Sequence, residues 1–433
     1  MLAVLIIGGL SCLCMILSVL FFPTVKIKKL RLDTYWIVTL LGAALMLAAG
    51  GVDISYLATE LVRDSSINPL KILTLFISMT VLSVFLDEVG FFRYLASRTL
   101  KIAKNSQMKL FVWLYLIVSL LTVFTSNDII VLTFTPFICY FAKNAKINPL
   151  PYLITEFVAA NTMSMTLIIG NPTNIYVAAS YGIGFLEYLQ TMILPTLASA
   201  AVSFFMLWLL FRKELKKPMN ASCEVENIKE KFFFTVGLVH LGVCTVLLAI
   251  GSYIGLEMWI VSLVAAVSLI TLILLICLIK RKRAIEVGRT LKRAPWQLIP
   301  FVLSMFTIIL ALQSFGVTEA ISNFLGTDYT VLKYGTLSYL SANLINNIPM
   351  SVFFCPIISP LSGVTQTQAI YATIVGSNLG AFLTPIGALA GIMWTSMLKK
   401  HEVKFSCIDF IKYGIAVSLP SLAANLLVLM LIV

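Results

Sequence analysis

Apolar stretches close to 20 residues long recur from one end of the chain to the other, at Leu2–Phe22, Phe233–Gly251 and Trp259–Ile279 among others. Each is long enough to cross ~30 Å of hydrocarbon as a helix. The pattern therefore predicts an all-α polytopic membrane protein. The first run lacks a basic leader and a small-residue cleavage pattern, and it ends at a basic stop, "KIKKLR". It reads as the first spanning helix and not as a cleaved signal.

Two stretches break the rhythm. In 109–143 the apolar arms, roughly 110–124 and 129–142, are ~14–15 residues each, or about 22 Å of helix, too short to span. A re-entrant helical hairpin with "SND" (126–128) at its tip is expected there. Segment 330–360 repeats the design from the other side of the membrane, with "INNIP" (345–349) at its tip. Two further spans carry internal breaks. "GNPTN" (170–174) interrupts the helix over about 150–182, and "LTPIG" (383–387) interrupts the one over about 367–397. A mid-span proline removes a backbone donor and breaks the helix. Irregular backbone at membrane depth is tolerated only inside protein or beside a water-filled cavity.

The irregular segments come in pairs. "TSNDIIVLTFTP" lies over "INNIPMSVFFCP" at an offset of 220, with Asn127 on Asn347 and Pro136 on Pro356. The broken helices align at an offset of 217, with Asn161 on Asn378 and Gly170 on Gly387. Upstream, "FLDEVGFFRYLAS" lies over "ALQSFGVTEAISN", with Gly90 on Gly316. Residues 1–212 and 231–433 thus form two repeats, each with five transmembrane helices, one of them broken, and one re-entrant hairpin. An odd number of spans inverts the second repeat. Residues 213–230 read as a polar cytoplasmic linker. Inverted repeats with discontinuous helices point to a secondary transporter.

Charge fixes the orientation. Of 433 residues 60% are hydrophobic and 12% charged, with a net charge of +12. With the N-terminus outside, only Arg63, Lys71 and Lys333 of the 31 basic residues fall outside, which matches the positive-inside rule. The positive charge is thereby explained without nucleic acid as a partner; the expected surroundings are the lipid bilayer. The eight cysteines are scattered, with no CxxC pair or His-rich spacing, so neither zinc nor a structural disulfide is expected. No nucleophile–base pair is visible and neither histidine lies at a break, so an enzyme is not expected. No P-loop is present, so any ATPase would be a separate chain.

The tips and breaks should meet near the bilayer midplane. Ser126/Asn127, Asn346/Asn347, Asn171–Pro172 and Thr384–Pro385 each read as the capped start of a half-helix. Such ends aim free N–H groups at a solute, and the ends of the preceding arms offer carbonyls to Na+ or a proton. Asn127, Asn161, Asn171, Asn174, Asn347 and Asn378, with Thr173 and Thr384, supply neutral donors and acceptors. The only ionisable groups placed there are Asp128 and Glu156. Asp128 falls on Ile348, so one carboxylate breaks the symmetry, which suits a coupling residue. Burial favours its neutral form and the helix N-terminus its anion. Asn425 and the two buried-looking thiols, Cys139 and Cys355, read as packing residues.

At "LDEVGFFRYLA", "TSNDIIVLTFTP", "AANTMSMTLIIGNPTN", "SANLINNIPMSV" and "GSNLGAFLTPIG" the chain resembles the ion transporter superfamily of secondary carriers. It is most similar to the arsenical pump membrane protein branch. The resemblance spans nearly the whole chain. It implies a carrier of the bacterial inner membrane that extrudes arsenite and antimonite, driven by protons or joined to a separate ATPase subunit. It also implies an elevator-like movement of the hairpin-bearing domain, often in a homodimer. The superfamily's carboxylate carriers have a Ser-Asn-Thr tip in both hairpins. Here the tips are Ser126-Asn127-Asp128 and Asn346-Asn347-Ile348, and Asp128 would repel a multiply charged anion. Proton-coupled export of a neutral metalloid acid, with no cofactor beyond the coupling ion, is the leading expectation. Na+/H+ exchange and sodium-coupled anion uptake are the alternatives.

Overall fold

The computed structural model describes residues 2–433 apart from 23, 28–29, 64–67, 104–105, 220–227, 229 and 252–253. Four of the basic residues, Lys28, Lys29, Lys104 and Lys229, and the middle of the polar linker lie outside the described residues.

The first half runs α1 (Leu2–Phe21), α2 (Thr34–Ala48), α3 (Ile54–Val62), α4 (Pro69–Glu88) and α5 (Phe91–Ala103). It continues through α6 (Gln107–Phe124), α7 (Asn127–Ala145), α8 (Leu150–Met163), α9 (Pro172–Ser180) and α10 (Phe185–Phe211). The second half repeats the series: α11 (Lys231–Gly251), α12 (Met258–Ile279), α13 (Ile285–Arg293), α14 (Leu298–Ser314) and α15 (Val317–Leu325). Then come α16 (Thr330–Ile345), α17 (Asn347–Ile358), α18 (Gly363–Gly380), α19 (Leu389–Lys400) and α20 (Cys407–Ile432). A short antiparallel ribbon, β1 (Thr24–Ile27) with β2 (Leu30–Asp33), is the only sheet among the described residues. The all-α polytopic fold is as expected.

Each helix of the first half has a counterpart ten places on, and the packing is exchanged between halves. Helix α2 packs on α14 while α12 packs on α4; α7 packs on α19 while α17 packs on α9; α10 crosses its own counterpart α20. That reciprocity is what a two-fold axis between inverted repeats produces. Asn425 secures the α10–α20 crossing, donating to Pro195 O at 3.0 Å and Ser199 Oγ at 2.7 Å. The packing separates into two bundles. Helices α1, α2, α4 and α11–α14 form one, and α6–α10 with α16–α20 form the other. The short helices α5 and α15 bridge them, α5 from α4 to α6 and α7, α15 from α14 to α17.

Side-chain contacts confirm which ends share a face. Lys71 Nζ meets Glu257 at 2.6 Å, joining two ends that the charge pattern places outside. Arg293 meets Asp87 at 2.7 Å, joining two ends placed inside.

The arms of the first hairpin are longer than the sequence pattern indicates: α6 has 18 residues and α7 has 19. Ser106 caps α6 at Lys109 N, and α7 runs past Lys143 to Ala145, so polar ends extend both arms beyond their apolar stretch. At ~1.5 Å per residue α6 alone is about 27 Å, long enough to cross. Its tip decides that it does not: Asn127 meets Asn161 at 3.0 Å, beside the point where α8 ends at Met163, so the arms turn back at the level of that break. Gln107, at the start of α6, donates to Lys217 O at 3.1 Å, and its Oε1 accepts from Tyr152 of α8 at 2.9 Å. Helix α8 begins only five residues after α7 ends, so the hairpin enters and leaves on one side.

The second hairpin is anchored by small residues. A Cβ on Gly376 of α18 would lie 2.3 Å from Gly335 O of α16, and one on Gly380 would lie 2.6 Å from Tyr339 O. This small-xxx-small face lets the two backbones touch, where dispersion rather than the hydrophobic effect must hold helices together.

Candidate functional site

Each hairpin tip is tied to the break of its own repeat. At the first tip Ser126 occupies the N-cap in extended conformation, but its side chain forms no cap bond. Asn127 is the organiser instead. Its Oδ1 accepts from Asp128 N at 2.9 Å, and its Nδ2 donates to Asn161 Oδ1 on α8 at 3.0 Å. At the second tip Asn346 is the N-cap, accepting from Ile348 N, and its Nδ2 donates to Ile386 O at 3.1 Å. Asn347 N donates to Gly387 O at 3.0 Å. Asn343, one turn before that tip, accepts from both Thr384 N at 3.1 Å and Thr384 Oγ1 at 2.7 Å.

The two breaks meet at the centre. The chain leaves α8 after Met163 and re-enters a helix at Pro172, so the first break begins earlier than "GNPTN". Asn171 caps α9, its Oδ1 accepting from Thr173 N at 3.2 Å and, at the same distance, from Thr173 Oγ1. Across the interface Asn378 of α18 joins everything. Its Oδ1 accepts from Ser164 Oγ and Asn171 Nδ2, both at 2.9 Å, and its Nδ2 donates to Asn174 Oδ1 at 2.7 Å. All four residues are buried. The loop closes only because residue 170 is glycine: a Cβ there would fall 2.3 Å from Ser164 O. Gly387 stands at the equivalent turn, where a Cβ would fall 2.7 Å from Gly380 O.

One expected half-helix start is displaced. Helix α19 begins at Leu389, not Pro385, and has no side-chain cap. The hydroxyl and N–H of Thr384 are both donated to Asn343, so Thr384 holds the second hairpin, and α19 starts five residues further on, after Ala388. Three helix N-termini, those of α7, α9 and α17, reach the polar region instead of four.

The carboxyl groups sit differently. Asp128, in the first turn of α7, is half-buried, and among the described residues no ion pair or side-chain hydrogen bond involves its carboxyl. It lies within electrostatic reach of Tyr35 of α2. Tyr35 in turn shares with Asn346 and Ile386 the lining of a cavity of about 10 Å³. Glu156 of α8 is fully buried, and Thr135 of α7 donates to its carboxyl at 3.2 Å. The basic partner that a location near the membrane end would bring is not there among the described residues. Among the described residues no lysine, arginine or histidine contributes to the centre. Ser164 and Asn343 belong to it as well, and the sequence reading missed both. Their only signal was a polar residue within one turn of a break or tip.

Oppositely oriented halves, each contributing a half-depth hairpin and a snapped helix to one buried polar centre, define a secondary transporter. The family described as CitMHS: Citrate transporter matches residues 34–362. An arsenical pump membrane protein of Escherichia coli (strain K12) is 30% identical over 82% of this chain and 85% of its own length. A second from Escherichia coli is 29% identical over 92% and 93%. The crystal structure of the Alcanivorax borkumensis YdaH transporter covers 99% of this chain and 98% of its own, with a TM-score of 0.56 at 13% identity, which shows the shared fold. The chain belongs to the arsenical pump membrane protein branch of the ion transporter superfamily.

Proposed function

We propose that this carrier exports arsenite, antimonite or a similarly small inorganic solute in exchange for protons, across a bacterial inner membrane with its N-terminus outside. The observation that carries the reading is the character of the centre among the described residues: amides and hydroxyls, no basic side chain, and one unpaired carboxyl at the first tip. A neutral trivalent metalloid acid is three O–H groups on one atom. It offers donors and acceptors to Asn127, Asn161, Asn171, Asn174, Asn378 and Ser126 at no cost in charge. Citrate, named in the family's description, would bring up to three negative charges to a site with no cation to receive them.

Asp128 is then the coupling group. It takes a proton where the site opens outward and releases it where the site opens inward, and the solute makes the return journey. Glu156, buried beneath the same hairpin and bound only by neutral groups, is a second proton station on the inner side. The helix N-termini of α7, α9 and α17 favour oxygen atoms of the solute over a metal cation.

The test is transport by the purified chain in proteoliposomes. An imposed pH gradient should drive arsenite accumulation, and a protonophore should abolish it. Accumulation that survives the protonophore would contradict proton coupling. Na+/H+ exchange is favoured by the same lone tip carboxyl. It predicts instead a sodium-driven change in internal pH with no metalloid present.

A further inference from the structure

Helix α4 carries Thr80, Ser83 and Asp87, spaced three and four residues apart and so on one face. That face meets the first hairpin. Thr80 and Ser83, with Phe76 and Met79, line a cavity of about 10 Å³ whose far wall is Thr125, Ser126 and Ile169. The hydroxyl of Thr80 is buried and has no hydrogen-bond partner. An orphaned buried donor is unfavourable, so a group that sits opposite the tip unpaired is suited to a ligand that comes and goes.

Two turns further on, Asp87 Oδ1 accepts from Thr133 Oγ1 of α7 at 3.0 Å, and Asp87 Oδ2 pairs with Arg293 Nη2 of α13 at 2.7 Å. Arg293 Nη1 also reaches Glu88 at 2.5 Å. Seven residues separate Thr80 from Asp87, and seven separate Ser126 from Thr133. The two helices therefore run side by side for about 10 Å between the tip and the inner face. The second repeat lacks the stripe. At the register that puts Gly90 on Gly316, these three positions are Phe306, Ile309 and Gln313. The polarity is thus not a requirement of the repeat's packing.

We propose that α4 supplies the inner passage of the solute route, with Thr80 and Ser83 as hydroxyl contacts beside the first hairpin tip and the Asp87–Thr133–Arg293 cluster as the contact that closes it. Only the identity of the solute rests on the function proposed above. The passage takes small, hydrogen-bonding, oxygen-bearing solutes, and opening it requires α7 to part from Asp87.

The test is thiol accessibility from the inner side. Ser83→Cys and, as a lipid-facing control, Leu274→Cys are each placed in a chain whose native cysteines are replaced. Inside-out vesicles are then treated with a membrane-impermeant cationic methanethiosulfonate. Modification at position 83 and not at 274, made at least fivefold faster by Arg293→Gln, is expected. Position 83 as inert as 274, with Arg293 present or substituted, would overturn the passage. If the cysteine-replaced chain fails to fold, amide exchange in the native-cysteine protein decides. Arg293→Gln should speed exchange across residues 76–90 and 124–134 at least threefold, and unchanged exchange overturns the proposal. A parent protein that moves no arsenite would sink the assigned solute while leaving the labelling result to judge the passage.

Discussion

Asparagine is expensive at membrane depth, and this chain gives the side chains of Asn127, Asn171, Asn174, Asn346 and Asn378, at or near the tips and breaks, hydrogen-bond partners. Asn378 alone connects Ser164, Asn171 and Asn174. Asn378→Ala should orphan these groups at a cost of about 1–3 kcal/mol each, lowering the unfolding temperature in detergent and abolishing transport together. Asn425 provides the contrast, because its bonds to Pro195 and Ser199 lie at the α10–α20 crossing. Asn425→Ala should lower the unfolding temperature while leaving the half-saturating solute concentration within twofold of the parent. Equal loss of affinity in both variants would mean that the two asparagines cannot be told apart by role. Gly170→Ala should be more harmful than either, since its methyl must displace the Ser164 carbonyl; transport at parental level would contradict the closed turn. Amides at the tips were legible because nothing else explains a polar group there. Ser164 and Asn343 were not, because their partners, Asn378 and Thr384, are set by how distant segments meet.

At the scale of elements, apolar length located the spans at α1, α11 and α12, and the paired offsets of 220 and 217 exposed the two hairpins and two breaks, while the short helices α3, α5, α13 and α15 were not read. Boundaries were harder to read. Apolar length underestimates α6 and α7, whose polar ends continue as helix, and a Thr-Pro step looks like a helix start whether or not its threonine is free to cap. With α6 long enough to cross, the hairpin rests on the meeting of its tip residue Asn127 with Asn161 beside the break in the first repeat, and its ends are held on one side by Gln107 with Tyr152 and Lys217. Cysteines introduced at Lys109 and Lys146 should therefore react with an impermeant thiol reagent from the same side, the inner one. Labelling from opposite sides would mean that residues 107–145 cross the membrane once and form no hairpin.

For the whole molecule, two bundles meet along the hairpin tips, and each tip cavity is about 10 Å³, room for roughly one water. A solute larger than water cannot be bound and released without the bundles moving apart. A disulfide between Met79→Cys of α4 and Ser126→Cys of the first tip, which line one cavity, should arrest transport, and a reductant should restore it. Undiminished transport in the oxidised form would show that the bundles stay fixed. The division into bundles was not legible in the sequence, because both are built from helices of the same apolar composition and differ only in what they touch.

The function proposed for this carrier depends on a lone carboxyl at the first tip exchanging protons with a passing neutral solute. The most direct measurement follows internal pH with a trapped dye in proteoliposomes when an arsenite gradient is applied. The parent protein should move protons against the arsenite flux, and Asp128→Asn should be silent in pH. A pH signal from Asp128→Asn equal to the parent's, or arsenite flux in the parent with no proton movement, would contradict it.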